Sequence, residues 1–211
     1  MMARHDATRM RRKDMMTRTI VAWNLALLAA GCGPAVVNTT TKSTASIAPL
    51  PDRATIVIIQ PTTAFQSVNI LDAQGQLLGQ LNGPSRTAVR VPPGSVRLYA
   101  IPEKQAEWGD RIDGTVQPGF IYYATISLRR GGLAFRALNP QSRDDRWANR
   151  DAYMGKVPAV EMDPNKSPEA IRQIGDPAPM LKKVDAFIEG LDAAHRDERT
   201  IRPGDGLRTA Q

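Results

Sequence analysis

The sequence predicts an all-β fold: a small antiparallel β-sandwich of about seven or eight strands, followed by a C-terminal amphipathic helix. Three features of residues 54–138 indicate it, namely short β-branched runs, alternation of apolar and polar residues, and turn residues between the runs. Such spacing is typical of sandwiches and barrels. The connections are too short to hold crossover helices, so we do not expect a parallel sheet.

Eight runs carry this pattern in order: ATIVIIQ (54–60), QSVNILD (66–72), QLLGQL (76–81), RTAVRV (86–91), SVRLYAI (95–101), RIDGTVQ (111–117), GFIYYATISLR (119–129) and LAFRAL (133–138). Alternation is clear in the fourth run, where Val89 and Val91 share one face. It is equally clear in the fifth run, where Val96, Leu98 and Ala100 share one face. The PPG turn (92–94) between these two runs forces a tight reversal, because Pro fixes φ and Gly accepts positive φ.

Beyond residue 138 the chain is polar and interrupted by prolines, so residues 139–197 are predicted to be a polar segment with one good helix over 179–197. Its apolar residues recur at helical spacing and form one face: Met180, Val184, Phe187, Ile188 and Leu191. This face either packs on the sandwich or docks a partner, and packing is favoured because exposed apolar faces are uncommon on soluble domains. Residues 198–211 are predicted to be a disordered tail.

The charge of the chain is concentrated at its N-terminus. The 28 Lys and Arg exceed the 21 Asp and Glu by 7, but residues 1–31 hold six basic and two acidic side chains. The remaining 22 basic and 19 acidic side chains give a net charge of only +3. Nucleic-acid binding therefore loses its main support, and an ordinary mixed surface is expected after residue 31.

The first 31 residues have the three parts of a secretory signal. A positive stretch (1–18) precedes the uncharged run TIVAWNLALLAA (19–30), and small residues follow it. That run is too short to cross a bilayer core, which needs roughly 20 apolar residues as a helix. We therefore interpret residues 1–31 as a signal peptide that is removed.

The end of this signal, LAAGC (28–32), resembles the lipobox of bacterial lipoproteins, with Ala29 where the family usually has Leu. The resemblance implies that Cys32, the single cysteine, becomes the first residue of the mature protein and carries the acyl chains that anchor it in the membrane. Gly33 follows the cysteine, and in the family's sorting rule the absence of Asp there implies the outer membrane, facing the periplasm.

Residues 32–52 are rich in Thr, Ser, Ala and Pro and lack a sustained apolar period. Such a composition buries too little surface to offset chain entropy. We predict a flexible linker here, with an average reach of roughly 25 Å.

Three stretches carry a second resemblance: ATIVIIQP (54–61), RVPPGSVRLYA (90–100) and VQPGFIYYATI (116–126). They resemble a family of uncharacterised bacterial envelope domains that are similar in style to PEGA domains. The resemblance implies that residues 53–138 form a small β-sandwich in the cell envelope. It implies no catalytic residue.

Few combinations of residues after residue 31 could form a catalytic or metal site. The one histidine there is His195, and without a His/Cys cluster no metal site or cofactor is predicted. The acids Glu103, Glu107, Asp110 and Asp113 lie close to Trp108, and paired acids beside an aromatic residue can perform glycoside chemistry. Because surface loops are commonly acidic in any case, a hydrolase that uses loop 103–113 is the weaker alternative.

Two tryptophans and two arginines are candidate binding residues. Trp108 and Trp147, predicted in loops, either stack on sugar rings or anchor a protein interface, or they cap a small core, which is the favoured interpretation. Arg129 and Arg130, at a hairpin tip, either contact anionic lipid or peptidoglycan phosphates or serve solubility. The sequence thus predicts a non-catalytic, membrane-anchored envelope module with a protein partner, and a glycan-binding module is the alternative.

Overall fold

Strands make up most of the regular structure of this chain. A computed structural model describes residues 40–44, 47–64, 67–103, 108–129, 132–141, 145–163 and 165–208. All of these residues belong to one unit, Val37–Gln211. The predicted signal peptide (1–31) lies outside the described residues.

The described strands are β1 (Thr40–Lys42), β2 (Ala54–Gln60), β3 (Ser67–Asp72), β4 (Leu77–Asn82), β5 (Ser85–Val91), β6 (Gly94–Pro102), β7 (Asp110–Val116), β8 (Ile121–Arg129), β9 (Gly132–Leu138), β10 (Val160–Met162) and β11 (Thr200–Ile201). The described helices are α1 (Asp145–Ala148), α2 (Arg150–Lys156), α3 (Ser167–Ile174), α4 (Ala178–Glu189) and α5 (Ala193–Asp197). Strands β2 to β9 lie where the eight apolar runs predict them, within two residues at each end. The chain is therefore mostly β, as predicted, with more helices than the single C-terminal helix of the predicted fold. The sequence Ser167-Pro168-Glu169 also permits a short helix, and α3 begins there.

The strands form two larger sheets and a small ribbon. One sheet has five strands in the order β11-β7-β6-β3-β4, and the other has four in the order β5-β2-β8-β9. The ribbon pairs β1 with β10 in antiparallel fashion.

The sheets are mixed, which corrects the expectation of purely antiparallel pairing. Strand β8 runs parallel to β2, and β11 runs parallel to β7. A parallel pair of strands needs a long crossover connection, which is usually a helix. The sequence between β2 and β8 predicts no such helix. Here the chain between β2 and β8 makes the crossover through strands of the other sheet, so no helix is required.

Both sheets contribute side chains to one buried apolar cluster. Ile56, Ile58 and Phe135 come from the four-stranded sheet, and Ile70 and Leu98 come from the five-stranded sheet. The predicted inner face of β6 is confirmed, because Val96, Leu98 and Ala100 all belong to this cluster. Period-two alternation in the sequence thus becomes the division between the inner and outer faces of each sheet.

The outer faces are covered as well. Val57, Ile59 and Tyr123 of the four-stranded sheet form a second cluster, against which Tyr153 and Met154 of α2 pack. On the five-stranded sheet Leu71, Tyr99 and Ile101 form a third cluster with Leu181, Val184 and Ile188 of α4. Because β2 is covered on both faces, all seven of its residues are buried.

Helix α4 differs from its prediction in extent and in its buried face. It ends at Glu189, and a separate helix, α5, begins after Asp192, whose carboxylate accepts the backbone N–H of His195 at 2.8 Å. Val184 and Ile188 are buried as predicted, but Phe187 is 50% exposed. The predicted residues of this face other than Phe187 pack against the five-stranded sheet. Packing, rather than docking to a partner, therefore accounts for them.

The prediction of a disordered tail over 198–211 is wrong for the described residues 198–208. Ile201 is buried in the main core, and Leu207 exchanges backbone hydrogen bonds of 2.7 and 2.8 Å with Ile121. Gly114 makes room for this segment, since a Cβ there would come 2.1 Å from the Ile201 carbonyl oxygen. The sequence of the tail is mostly polar because only a few of its side chains are buried. The residues that bury them lie far away along the chain.

The linker prediction for residues 32–52 also needs correction. Thr40–Lys42 form β1 and pair with Val160–Met162, and Ile47 packs against the second cluster. The partner strand lies more than a hundred residues away along the chain, so local composition could not reveal the pairing.

Candidate functional site

The structure places the predicted site residues in different settings. Cys32, Arg130 and Glu107 lie outside the described residues. Trp108 precedes β7 and is 38% exposed, and Arg129 is exposed at the end of β8. Trp147 lies in helix α1, where a loop was predicted, and it packs against the second cluster.

Trp147 is part of an aromatic and cationic stack on the outer face of the four-stranded sheet. Its ring meets Tyr123 edge to face, with the centroids 6.1 Å apart. The guanidinium of Arg150 lies 4.4 Å from the Trp147 centroid and 4.9 Å from that of Tyr123. Cation–π contacts of this kind stabilise a partly desolvated arginine. This stack agrees with the interpretation of Trp147 as a core-capping residue.

Trp108 occupies the opposite end of strand β9. A Cβ on Gly132 would come 3.1 Å from the Trp108 carbonyl oxygen, so the Trp108 backbone lies close to the first residue of β9. Gly132 pairs with Arg129, whereas Trp147 lies with Leu138 in the second cluster. At about 3.3 Å per residue the ends of β9 are roughly 20 Å apart. The two tryptophans therefore do not form one short platform.

Asp110 and Asp113 of the predicted hydrolytic loop are engaged in ion pairs, whereas the buried Oε2 of Glu103 has no hydrogen-bond partner in the described part of the chain. Asp110 is fully buried and accepts hydrogen bonds from Arg199 Nε and from the backbone N–H groups of Arg111 and Phe135, each at 2.8 Å. Asp113 accepts from the Nε atoms of Arg97 and Arg111, both at 2.7 Å. Both carboxylates thus have structural partners.

These ion pairs continue to helix α4. Asp185 of α4 accepts a hydrogen bond of 2.8 Å from the Tyr99 hydroxyl and also bonds to Arg111. Burial, followed by the contact with Asp185, raises the pKa of Tyr99 above its usual value. The result is a polar clamp that joins α4 to the five-stranded sheet beside the third apolar cluster.

His195 and the other acids form no metal site in the part of the chain that the structure describes. No group there contains three or more His, Cys, Asp or Glu side chains placed to hold an ion. The His195 ring faces Asp192 on an exposed turn at 2.8 Å.

None of the described helices is long and apolar enough to cross a membrane.

Two cavities lie at the four-stranded sheet, and sequence reasoning predicted neither. The Trp147 groove, of about 110 Å³, is lined by Arg146, Trp147 and Glu198 among others. Beside it, buried Arg136 donates to Glu198 at 2.7 Å. Burial, opposed by Glu198 and aided by nearby arginines, lowers the pKa of Arg136 to about 10.

The second cavity, which we call the β5 cavity, has a volume of about 190 Å³. Its wall on the sheet is formed by Thr55, Arg86, Ala88 and Arg90, and Glu161 of β10 lies opposite. The sequence does carry a signal for this wall. In RTAVRV (86–91) the residues that alternate with the core valines are Arg86, Ala88 and Arg90, so two arginines flank a small residue on one face.

A scan against models of protein families finds none that matches this chain, and a search of curated proteins finds no match either.

Proposed function

We propose that this chain is an envelope lipoprotein, anchored in the membrane through Cys32, that serves as a non-catalytic structural or interaction module. Residues 1–31 would be removed, and the domain would face the periplasm from the outer membrane. One observation carries the proposal: LAAGC (28–32) closes a positive and then apolar segment that has the three parts of an export signal.

The position of β1 supports a module held close to the bilayer. Seven residues separate Cys32 from Thr40, the first residue of β1. Fully extended, that stretch spans at most about 29 Å. Its average reach as a flexible chain is only about 15 Å. An anchor at Cys32 would therefore keep β1 within about 29 Å of the lipid surface.

The two sheets and their shared core support a β-sandwich as the finer description of the fold. The inward residues of both sheets form one cluster, the arrangement that sandwich packing requires. The PEGA-like resemblance of residues 53–138 is part of this proposal.

The ion pairs of Asp110 and Asp113 support a non-catalytic role for these two acids. A general acid or nucleophile needs a carboxyl group that can reach substrate. Asp110 is instead buried against Arg199, and Asp113 is held by two arginines. These carboxylates act in folding, so the hydrolase alternative gains no support from them.

We infer an interaction surface where β8 ends and β9 begins. Leu128 is 52% exposed, Arg129 is exposed, and the Trp108 backbone lies close to Gly132, the first residue of β9. Exposed aromatic, aliphatic and Arg side chains together are typical of protein interfaces. Because Trp108 is exposed, glycan binding through Trp108, without Trp147, is the second candidate function.

The anchor is tested by changing Cys32→Ser in the full chain and feeding cells an alkyne-labelled palmitate. The unchanged protein should be labelled and should sediment with the membrane fraction. The variant should lose the label and the processing that depends on the lipid. A variant that is still processed and still in the membrane fraction would contradict the proposal, and Gly33→Ala serves as a control that retains the cysteine.

The interaction surface is tested with Trp108→Ala and, as a matched control that also removes an exposed aromatic ring, Phe187→Ala. In-cell crosslinking should capture a protein neighbour with the unchanged chain and with the Phe187 variant, but not with the Trp108 variant. If isolated sacculi bind instead, and only while Trp108 is present, the glycan-binding alternative is correct. Equal crosslinking by all three chains would remove Trp108 from the interface.

A further inference from the structure

The β5 cavity brings together polar groups from two neighbouring strands. Thr55 of β2 lies directly opposite Arg90 of β5 in the antiparallel register. Arg86, Ala88 and Arg90 occupy alternate positions of β5, so their side chains project from the same face of the sheet. Ala88, the short residue between the arginines, leaves room above the strand. The cavity is therefore a space flanked by two guanidinium groups.

Two polar atoms of this wall lack partners within the protein. Thr55 Oγ1 and Arg86 Nε are buried, and neither has a hydrogen-bond partner in the described part of the chain. The Thr55 residue as a whole is 2% exposed. Buried donors without acceptors are costly, so native proteins normally satisfy them with protein, water or ligand. Both atoms belong to residues that line the same cavity.

The charge of Arg86 is not neutralised by its recorded acceptors. Its Nη1 donates to the carbonyl oxygens of Val157, at 2.8 Å, and of Met154. Carbonyl oxygens satisfy N–H groups without cancelling the net charge of the guanidinium. Arg90 adds a second positive charge and is exposed at the cavity mouth.

One carboxylate opposes these arginines. Glu161 lines the far wall and accepts a hydrogen bond of 3.2 Å from the Ser43 hydroxyl. Two arginines against one glutamate leave the lining with an excess positive charge. An anion would therefore be attracted, and Glu161 would limit its affinity.

We propose that the β5 cavity binds a phosphoryl group through Arg86, Arg90 and the Thr55 hydroxyl. Three donor groups from two strands line this space, which suits the several oxygens of a phosphoryl group. A single carboxylate is planar and is matched best by one guanidinium fork. The volume of about 190 Å³ is sufficient for a phosphate or a small headgroup.

Two sources can supply this chemistry. One is the phosphodiester headgroup of an anionic lipid, which the short distance from Cys32 to β1 would bring within reach if the proposed anchor is correct. The other is a soluble phosphate or phosphate monoester. The site stands on its own residues, so a failed lipid-labelling experiment at Cys32 would leave its test unchanged.

The test uses the full chain in dodecyl maltoside micelles, which contain no phosphate, at constant ionic strength set with sodium chloride. Calorimetric titration with inorganic phosphate represents the soluble source, and titration with glycerophosphoglycerol represents the lipid headgroup. Succinate is the carboxylate control. We expect saturable binding of one or both phosphoryl compounds and none of succinate.

Variants locate the site. Ala88→Leu fills the space between the arginines and should abolish binding, and Arg90→Gln, at an exposed position, should weaken it by about tenfold. Arg172→Gln removes an exposed arginine on α3, away from the cavity lining, and should bind like the unchanged chain. Glu161→Gln should tighten binding, because it removes the opposing charge.

Each outcome decides the proposal. Binding of inorganic phosphate that Ala88→Leu abolishes supports the soluble source, and binding of glycerophosphoglycerol alone supports the headgroup. If neither compound binds, water alone satisfies Thr55 and Arg86 and the proposal is wrong. Binding that survives both Ala88→Leu and Arg90→Gln would likewise overturn it, and a folding defect in the first variant leaves the second to decide.

Discussion

The outer faces of the two sheets use arginine in different ways. On the five-stranded sheet, Arg97 and Arg111 both pair with Asp113, and Arg111 also reaches Asp185 of α4. On the four-stranded sheet, Arg86 donates to backbone carbonyls, whereas Arg150 lies over two aromatic rings and also pairs with the exposed Asp151. Both faces are packed by a helix, but the four-stranded face retains the charges of Arg86 and Arg90 beside the β5 cavity. Arginine bridged between two carboxylates thus joins the five-stranded sheet to α4, whereas Arg86, which donates to carbonyl oxygens, keeps a charge that attracts anions.

The largest expected effect comes from the most buried ion pair. Changing Asp110→Ala leaves Arg199 buried without its counter-ion, and losing one partner of such a pair costs about 3–5 kcal/mol in the free energy of unfolding. Denaturant unfolding measures it. Asp52→Ala, which removes an exposed partner of Arg53 at 3.9 Å, should change stability by about 1 kcal/mol or less. Similar losses in both variants would refute a structural role for Asp110.

Helix α4 provides a second comparison between neighbouring residues. Ile188 is 2% exposed and Phe187 is 50% exposed. We expect Ile188→Ala to cost about 2–5 kcal/mol, because it leaves a cavity under the helix. Phe187→Ala should cost much less, although phenylalanine is the larger side chain. The reverse order in urea unfolding would mean that the helix presents a different face to the sheet.

The two faces are compared directly by removing one carboxylate from each. Asp185→Ala deprives both Tyr99 and Arg111 of an acceptor, and a hydrogen bond to a charged group contributes about 1.5–3 kcal/mol. Asp151 pairs with Arg150 at 2.7 Å but its side chain is 70% exposed, so Asp151→Ala should cost about 1 kcal/mol or less. Equal costs would show that Asp185, which bridges α4 and the sheet, contributes no more to stability than an exposed carboxylate does.

The smallest expected effect is a dependence on alkaline pH. Burial raises the pKa of Tyr99, Tyr122 and Tyr123, so the folded state holds their protons more tightly than the unfolded state. Their contribution is complete below about pH 10, the ordinary tyrosine pKa, and is lost as pH rises through the folded values. Stability should therefore decline above that pH.

The pKa of Arg136 is lowered to about 10, so its deprotonation in the folded state makes stability rise with pH over the same alkaline range. The tyrosine contribution is therefore measured as a difference between two chains. Tyr123→Phe should show a shallower decline than the unchanged chain in urea unfolding at successive pH values. Because Arg136 is present in both proteins, its contribution cancels. Parallel pH curves would show that Tyr123 does not contribute.

The local parts of the fold follow from the sequence with good accuracy. Strands β2 to β9 coincide with the eight apolar runs, and the inner face of β6 is the predicted one. These features depend on the two-residue period of a strand and on turn residues between strands, which are properties of neighbouring residues. The helical face of α4 was predicted for the same reason, apart from Phe187.

The candidate site was much less predictable. Trp147 had no sequence signal that would place it under Arg150, because the stack joins α1, α2 and β8. Asp110 was read as a loop acid because Arg199, its partner, lies 89 residues away. The alternation Arg86, Ala88, Arg90 was visible, but the opposite wall comes from β10 and only the fold brings it near.

Local sequence patterns account for the β character of the chain, its strand positions and the helical period of residues 180–188. They also predict a lipid anchor at Cys32. Only the tertiary structure decided the parallel pairing of β2 with β8, the insertion of Ile201 into the core, the pairing of β1 with β10, and the two different uses of arginine. The physical reason is range. Side-chain period and turn chemistry act between neighbours, whereas burial, ion pairing and cavity shape depend on residues that folding brings together from distant parts of the chain.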